Sequence, residues 1–159
     1  VTLIHGIFMT VSPSVVIRGM QGADLESVVA VEQLSNPHPW TVGQFLSELD
    51  NSCSVVDLLC LDGEVVAFLC SWLVIDELHI QNVATHPDYR RQGLAVSILT
   101  RRFDLARRAG AVISFLEVRA NNSGAIRLYE LLGYRQNGLR VGYYADGEDA
   151  VLMEYDLTA

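Results

Sequence analysis

Two adjacent arginines, Arg90 and Arg91, stand before Gln92, Gly93, Leu94 and Ala95, where apolar residues begin to recur every three or four positions. Arginine's planar fork can bond two oxygens of one phosphate. A helix start adds unpaired N–H groups and the positive end of the peptide dipole. Gly93 removes a side chain where a ligand would approach, and Ala95 stays small. This combination suits a phosphate or diphosphate. The spacing is not GxGxxG, so the dinucleotide fingerprint is absent. By itself, R-x-x-G-x-A describes a basic turn that caps a helix equally well.

Composition narrows the other chemistries. All eleven basic residues are arginine, which excludes a Walker-type phosphate loop and a Schiff-base lysine. A net charge of −8 opposes broad binding to nucleic acid and suits a cationic partner such as an amine or a basic peptide. His5, His38, His79 and His86 lack ligand spacing, so no metal is expected. Cys53, Cys60 and Cys70 have apolar neighbours and no CxxC pattern. They read as small buried hydrophobes, reduced in a cytosolic protein. No apolar run approaches the roughly 18 residues that span a bilayer; the stretch Val65 to Ile75 reads as a buried strand. The leader lacks a basic n-region. Residues 1–13 are read as an N-terminal extension, non-native in part if Met9 is the natural start.

These residues need positioning elements, and the pattern supplies them. Ser14 to Met20 predicts a strand, and Ala23 to Ser35 a helix with Leu25, Val28, Val29 and Val31 to Leu34 at helical spacing. Thr41 is a candidate N-cap for a second helix with Phe45, Leu46 and Leu49 on one side. Asp62-Gly63 marks a hairpin turn between two strands, and Leu78 to Thr85 a further strand. From Gly93 to Ala109, Leu94, Ile98, Leu99, Phe103 and Ala106 define a long amphipathic helix closed by Gly110. Ala111 to Arg119 predicts a strand, Asn121-Asn122 cap a short helix that Gly133 stops, and two last strands surround Asp146-Gly147. The result is one mixed α/β domain.

The segments HPW (His38–Trp40), DYRRQGLA (Asp88–Ala95), LEVRANNSGAIRLYELLGY (Leu116–Tyr134), YY (Tyr143-Tyr144) and GEDAVLM (Gly147–Met153) together resemble the GNAT family of N-acetyltransferases. More narrowly, they are similar to its RimI-type ribosomal-protein alanine N-acetyltransferases. The likeness covers about Val15 to Leu157. It implies the acyl-CoA N-acyltransferase fold over residues 14–159: a single mixed, mostly antiparallel sheet flanked by helices. It also implies acetyl-CoA as cosubstrate and no metal. Val83, Ala84 and Thr85 correspond to a splayed strand edge that bonds the pantetheine arm. Arg91, Gln92, Gly93, Leu94, Ala95 and Val96 correspond to the diphosphate loop, and Asn122 to a further cofactor contact. Glu117 matches the general base and Tyr129 the general acid. Trp40, Tyr143 and Tyr144 are candidate acceptor-side aromatics. The implied acceptor is the N-terminal amine, alanine first, of a small-subunit ribosomal protein. Acetylation of a small amine or protein lysine, or non-catalytic acyl-CoA binding, are the other readings.

The residues themselves leave alternatives open. Glu117 alternates with Leu116 and Val118, as a solvated residue paired with Arg119 would, and Tyr129 lies on a core stripe. Arg90 and Ala95 stand where the subfamily more often has glutamine and glycine. His79, Gln81 and Thr85 make their strand more polar than usual, which bears on the acceptor. An α-ammonium has a pKa near 8, so freeing it at neutral pH costs about 1 kcal/mol, against roughly 4–5 for lysine.

Overall fold

Neighbouring residues on two central strands go to opposite cores, which is how the sequence builds a sheet covered on both faces. Leu58 and Phe68 pack with Val28, Val31, Phe45, Cys70 and Ala84, while Leu59 and Leu69 pack with Ile98, Leu99, Phe103 and Tyr129. This is the period-two alternation of a pleated strand. The computed structural model describes residues 13–159, so the extension expected over residues 1–13 lies almost wholly outside the described residues. The strands are β1 (Val15–Gly19), β2 (Ser54–Leu61), β3 (Glu64–Val74), β4 (Glu77–Thr85), β5 (Ile113–Arg119), β6 (Arg135–Arg140) and β7 (Ala150–Asp156). They form one sheet in the order β1-β2-β3-β4-β5-β7-β6. Its pairs are antiparallel except β4 with β5. The helices are α1 (Leu25–Ser35), α2 (Val42–Asp50), α3 (Leu94–Arg108) and α4 (Ser123–Leu132). α1 and α2 cover one face; α3 and α4 cover the other.

Local signals set the element ends. Thr41 accepts from the Gln44 N–H at 3.2 Å, and the Gln44 side chain accepts from the Thr41 N–H at 2.8 Å. Such a capping box contributes about 1 kcal/mol to starting α2. Asp62 and Gly63, with φ of 49° and 84°, make the β2–β3 turn. Gly133 ends α4 at φ 112°, where a Cβ would sit 2.6 Å from Tyr155. Two expectations change. Leu34 and Leu46 are 59% and 45% exposed, because each lies just off the buried stripe of its helix. Cys53 is exposed, while Cys60 and Cys70 are buried. The last two strands lie on either side of Asp146-Gly147 as expected, with residues 141–149 between them.

Two irregularities in β4 open a gap in the sheet. Pairing with β3 passes from Cys70↔Asn82 to Ser71↔Ile80, leaving Gln81 as a bulge. Parallel pairing with β5 runs from Glu77↔Ile113 to Ile80↔Leu116 and stops there. Beyond the bulge, β4 and β5 continue without a ladder between them.

Candidate active site

The free edge of β4 can be read from its alternation. His86 N–H donates to Val66 O across to β3 at 2.8 Å. The main-chain groups of Ala84 and Asn82 therefore face β3, and those of Val83 and Thr85 face the side β5 has left. The Thr85 carbonyl accepts from Ser35 Oγ at 3.0 Å; its N–H and the Val83 groups remain on the edge.

That edge leads into the arginine loop. Arg91 has φ 61° and Gly93 φ 74°, ψ 15° at the N-cap of α3, with no side-chain cap. For an L-residue the left-handed conformation costs about 1–2 kcal/mol. Left-handed residues in a turn aim successive N–H groups into a concavity that favours anions. In contrast, α2 is capped by Thr41, and α4 by Asn122, whose Oδ1 accepts from the Ala125 N–H at 3.2 Å. The φ of 74° at Gly93 favours glycine, and because a Cβ there would meet nothing within 4 Å, the space beside it is open. Arg91 and Gln92 are exposed, Leu94 and Ala95 partly so, and with Val96 they begin the helix. Arg90 turns back to the Ser35 carbonyl at 3.4 Å.

On the α1–α2 face, where no helix covers β5 and β7, lies a cavity of about 470 Å³. Glu117, Phe115, His79 and Gln81 line it from β5 and β4, Asn137 and Arg140 from β6, Leu152 from β7, and Tyr143 and Tyr144 from the loop between β6 and β7. The Glu117 side chain is 34% exposed, and its Oε1 lies 3.3 Å from Arg140 Nη1. The pairing with Arg119 that sequence spacing allowed does not occur. Arg119 instead binds Asp146 and Glu148, both at 2.9 Å, and sits 4.0 Å over the Tyr144 ring. The two tyrosine rings meet edge to face at 5.2 Å. A hydrogen bond and the negative charge of Glu117 push the Tyr143 phenol above its usual pKa; burial does the same for Tyr144. His79 Nε2 lies 2.8 Å from Glu77 Oε2.

Tyr129 belongs to the opposite core, 8% exposed and T-shaped against Tyr134 at 5.7 Å. Burial, with a smaller contribution from Tyr144, pushes its phenol up to about 12. Tyr129 is not among the residues that line the cavity. Trp40 is not drawn in: it packs on Phe45 at 5.4 Å and lies outside the cavity lining. Arg140, Asn137 and Phe115 line the cavity without any local sequence signal. They arrive through the β5–β7–β6 register, where Glu117 pairs with Leu152 and Leu152 with Gly138, two residues from Arg140. Among the described residues, no group of three or more His, Cys, Asp or Glu could hold a metal ion.

A splayed parallel pair beside an uncapped helix start defines a class, and residues 24–134 match the model of the acetyltransferase (GNAT) family. The chain belongs to that family. It is 36% identical over 140 residues to the ribosomal protein bS18-alanine N-acetyltransferase of Escherichia coli strain K12, covering 86% of this chain and 94% of the other. The crystal structure of the ribosomal-protein-S18-alanine N-acetyltransferase from Escherichia coli superposes with a TM-score of 0.85 at 34% identity, covering 91% of this chain and 94% of that one. An N-acetyltransferase from Thermoplasma acidophilum, solved in complex with coenzyme A, shares the fold with a TM-score of 0.76 at 15% identity, covering 90% and 99%.

Proposed function

We propose that the chain transfers acetyl from acetyl-CoA to the N-terminal α-amine of a ribosomal protein, alanine first, by direct attack in a ternary complex. The observation that carries this reading is a juxtaposition. The open β4 edge runs from an arginine-flanked, uncapped helix start to a cavity holding Glu117. The names of the Escherichia coli relatives supply the acceptor. Such an acceptor implies that the enzyme works in the cytoplasm.

The residues fit the cosubstrate. Arg91, Gln92, Gly93, Leu94, Ala95 and Val96 would hold the diphosphate, mainly by N–H groups. Val83 and Thr85 would bond the pantetheine arm, and Asn122 would supply a further cofactor contact. Acetyl-CoA, when bound, supplies the activated thioester. The chain does the rest. Glu117 takes the proton of the α-ammonium, directly or through one water, a modest task because that proton is already labile near neutral pH. Arg140 holds the carboxylate until the acceptor arrives. The Val83 N–H on the free edge meets charge developing on the carbonyl oxygen. The Tyr129 hydroxyl donates to the leaving sulfur, and Tyr143 and Tyr144 wall the acceptor.

The test is to incubate the chain with acetyl-CoA and a peptide carrying an alanine-initiated ribosomal N-terminus and internal lysine. One acetyl group on the α-amine, located by fragmentation mass spectrometry, is expected. Acetylation confined to the lysine side chain, or no thiol release, would overturn the reading.

A further inference from the structure

α1 is fastened to the cofactor side of the site at three points. Ser35 Oγ donates to the Thr85 carbonyl at 3.0 Å, Arg90 Nη2 donates to the Ser35 carbonyl at 3.4 Å, and the Asn82 amide donates to Glu32 Oε2. The third is the unexpected one. Glu32 is 0% exposed, sits on α1 beside Val28 and Val31, and keeps Oε1 without a hydrogen bond. Ser71, across the bulge on β3, likewise keeps its buried hydroxyl without one. A buried carboxyl with an unused oxygen destabilises a fold relative to a well-packed leucine. Burial pushes its pKa up; the Asn82 hydrogen bond pulls it back, as do the Asn36 side chain and the Trp40 N–H, which lie nearby without reaching hydrogen-bond geometry to Oε1. Stability therefore does not account for glutamate at this position.

Location does. Asn82 directly follows the Gln81 bulge, where β4 parts from β5 and the groups proposed for the thioester begin. Asn36 and Trp40 bound the α1–α2 loop. That loop also reaches the other wall of the acceptor cavity, with His38 Nε2 3.7 Å from Asp146 Oδ2 on the segment that carries Tyr143 and Tyr144. We propose that Glu32 and Asn82 are a positioning pair for acetyl transfer: the carboxyl fixes the opened strand against the α1–α2 loop, so that thioester and acceptor keep their mutual spacing. The pair touches neither substrate; it acts through Val83 on one side and the loop on the other. This rests on the reading of the β4 edge as the acyl-CoA site.

The experiment compares the full chain with Glu32→Gln, Glu32→Leu, Asn82→Ala and the Glu32→Leu/Asn82→Ala double variant. It measures acetyl-CoA affinity by calorimetry, turnover by thiol release and stability by thermal melting. Misplacing reactants by about 1 Å costs on the order of 100-fold. Glu32→Leu and Asn82→Ala should therefore each lower kcat by roughly 10- to 100-fold, with acetyl-CoA affinity largely kept. The double variant should be no worse than the poorer single, because one contact is lost in each. Glu32→Gln retains an oxygen for the Asn82 amide and should retain most activity. If Glu32→Leu does not fold, Asn82→Ala carries the same test. Wild-type turnover in Asn82→Ala, additive losses, or a Glu32→Gln loss as deep as that of Glu32→Leu would overturn the pair while leaving the function standing. A wild-type chain that neither binds acetyl-CoA nor transfers acetyl would overturn both.

Discussion

Replacing Tyr129 with phenylalanine removes one oxygen and leaves the ring against Tyr134. Burial holds the phenol at about 12, so the proton is retained as pH rises past the ordinary tyrosine value near 10. The donor form is thus present throughout any practical assay, and this group should cause no alkaline fall in kcat below about pH 11. The same shift limits what the hydroxyl can do. Complete transfer from a phenol at about 12 to a thiolate whose acid titrates near 8.5 is uphill by roughly 5 kcal/mol. Tyr129 therefore acts chiefly by hydrogen bonding the developing sulfur charge, and a bond to a charged partner contributes about 1.5–3 kcal/mol. The expected loss in Tyr129→Phe is about 10- to 150-fold in kcat, measured by thiol release at saturating acetyl-CoA. Stability should stay within about 1 kcal/mol, since the net worth of one hydroxyl is of that order. Unchanged kcat would show Tyr129 to be a core residue without a chemical role; a loss above about 1000-fold would show full proton transfer and refute the hydrogen-bond estimate.

Glu117→Gln should lower activity toward an α-amine by about 100-fold at pH 7, the low end of what a positioned base contributes. The loss should shrink toward pH 9, where an amine with pKa near 8 frees itself; a pH-independent deficit in the rate profile would contradict the base assignment. Asp57, 2% exposed, accepts from Arg102 Nε and Nη2 at 2.7 and 2.6 Å. Arg102→Met should cost about 3–5 kcal/mol and lower Tm by roughly 6–20 °C. Asp57→Leu/Arg102→Met should recover most of that in the same melting experiment. Gly93→Ala places a Cβ at φ 74° and should cost about 1–2 kcal/mol while raising KM for acetyl-CoA, since the loop must give up its shape to relax. Equal KM in steady-state kinetics would separate Gly93 from the diphosphate seat.

The sequence reveals what nearby residues settle among themselves. The Thr41 cap, the Asp62-Gly63 turn, the Gly133 stop and the arginine loop each lie within a few positions, and each forms where the pattern places it. The strands come from alternation, and the single mixed sheet from the family resemblance. The unforeseen features depend on register across strands. The Gln81 bulge opens the sheet, although nothing around Gln81 distinguishes it from any polar strand residue. Arg140 reaches Glu117 through β7, while Arg119, near in sequence, is engaged by the loop acids. Glu32 and Asp57 reverse the expectation that charges face water, and each does so with a partner 45 or more positions away.

The most direct measurement is a crystal structure of the chain with acetyl-CoA. The diphosphate should lie on the N–H groups between Arg91 and Val96, the pantetheine arm along Val83 and Thr85, and the sulfur within about 3–4 Å of the Tyr129 hydroxyl, allowing for hydrogen-bond reach. A cofactor seated elsewhere, or a sulfur far from both Tyr129 and Glu117, would contradict the account.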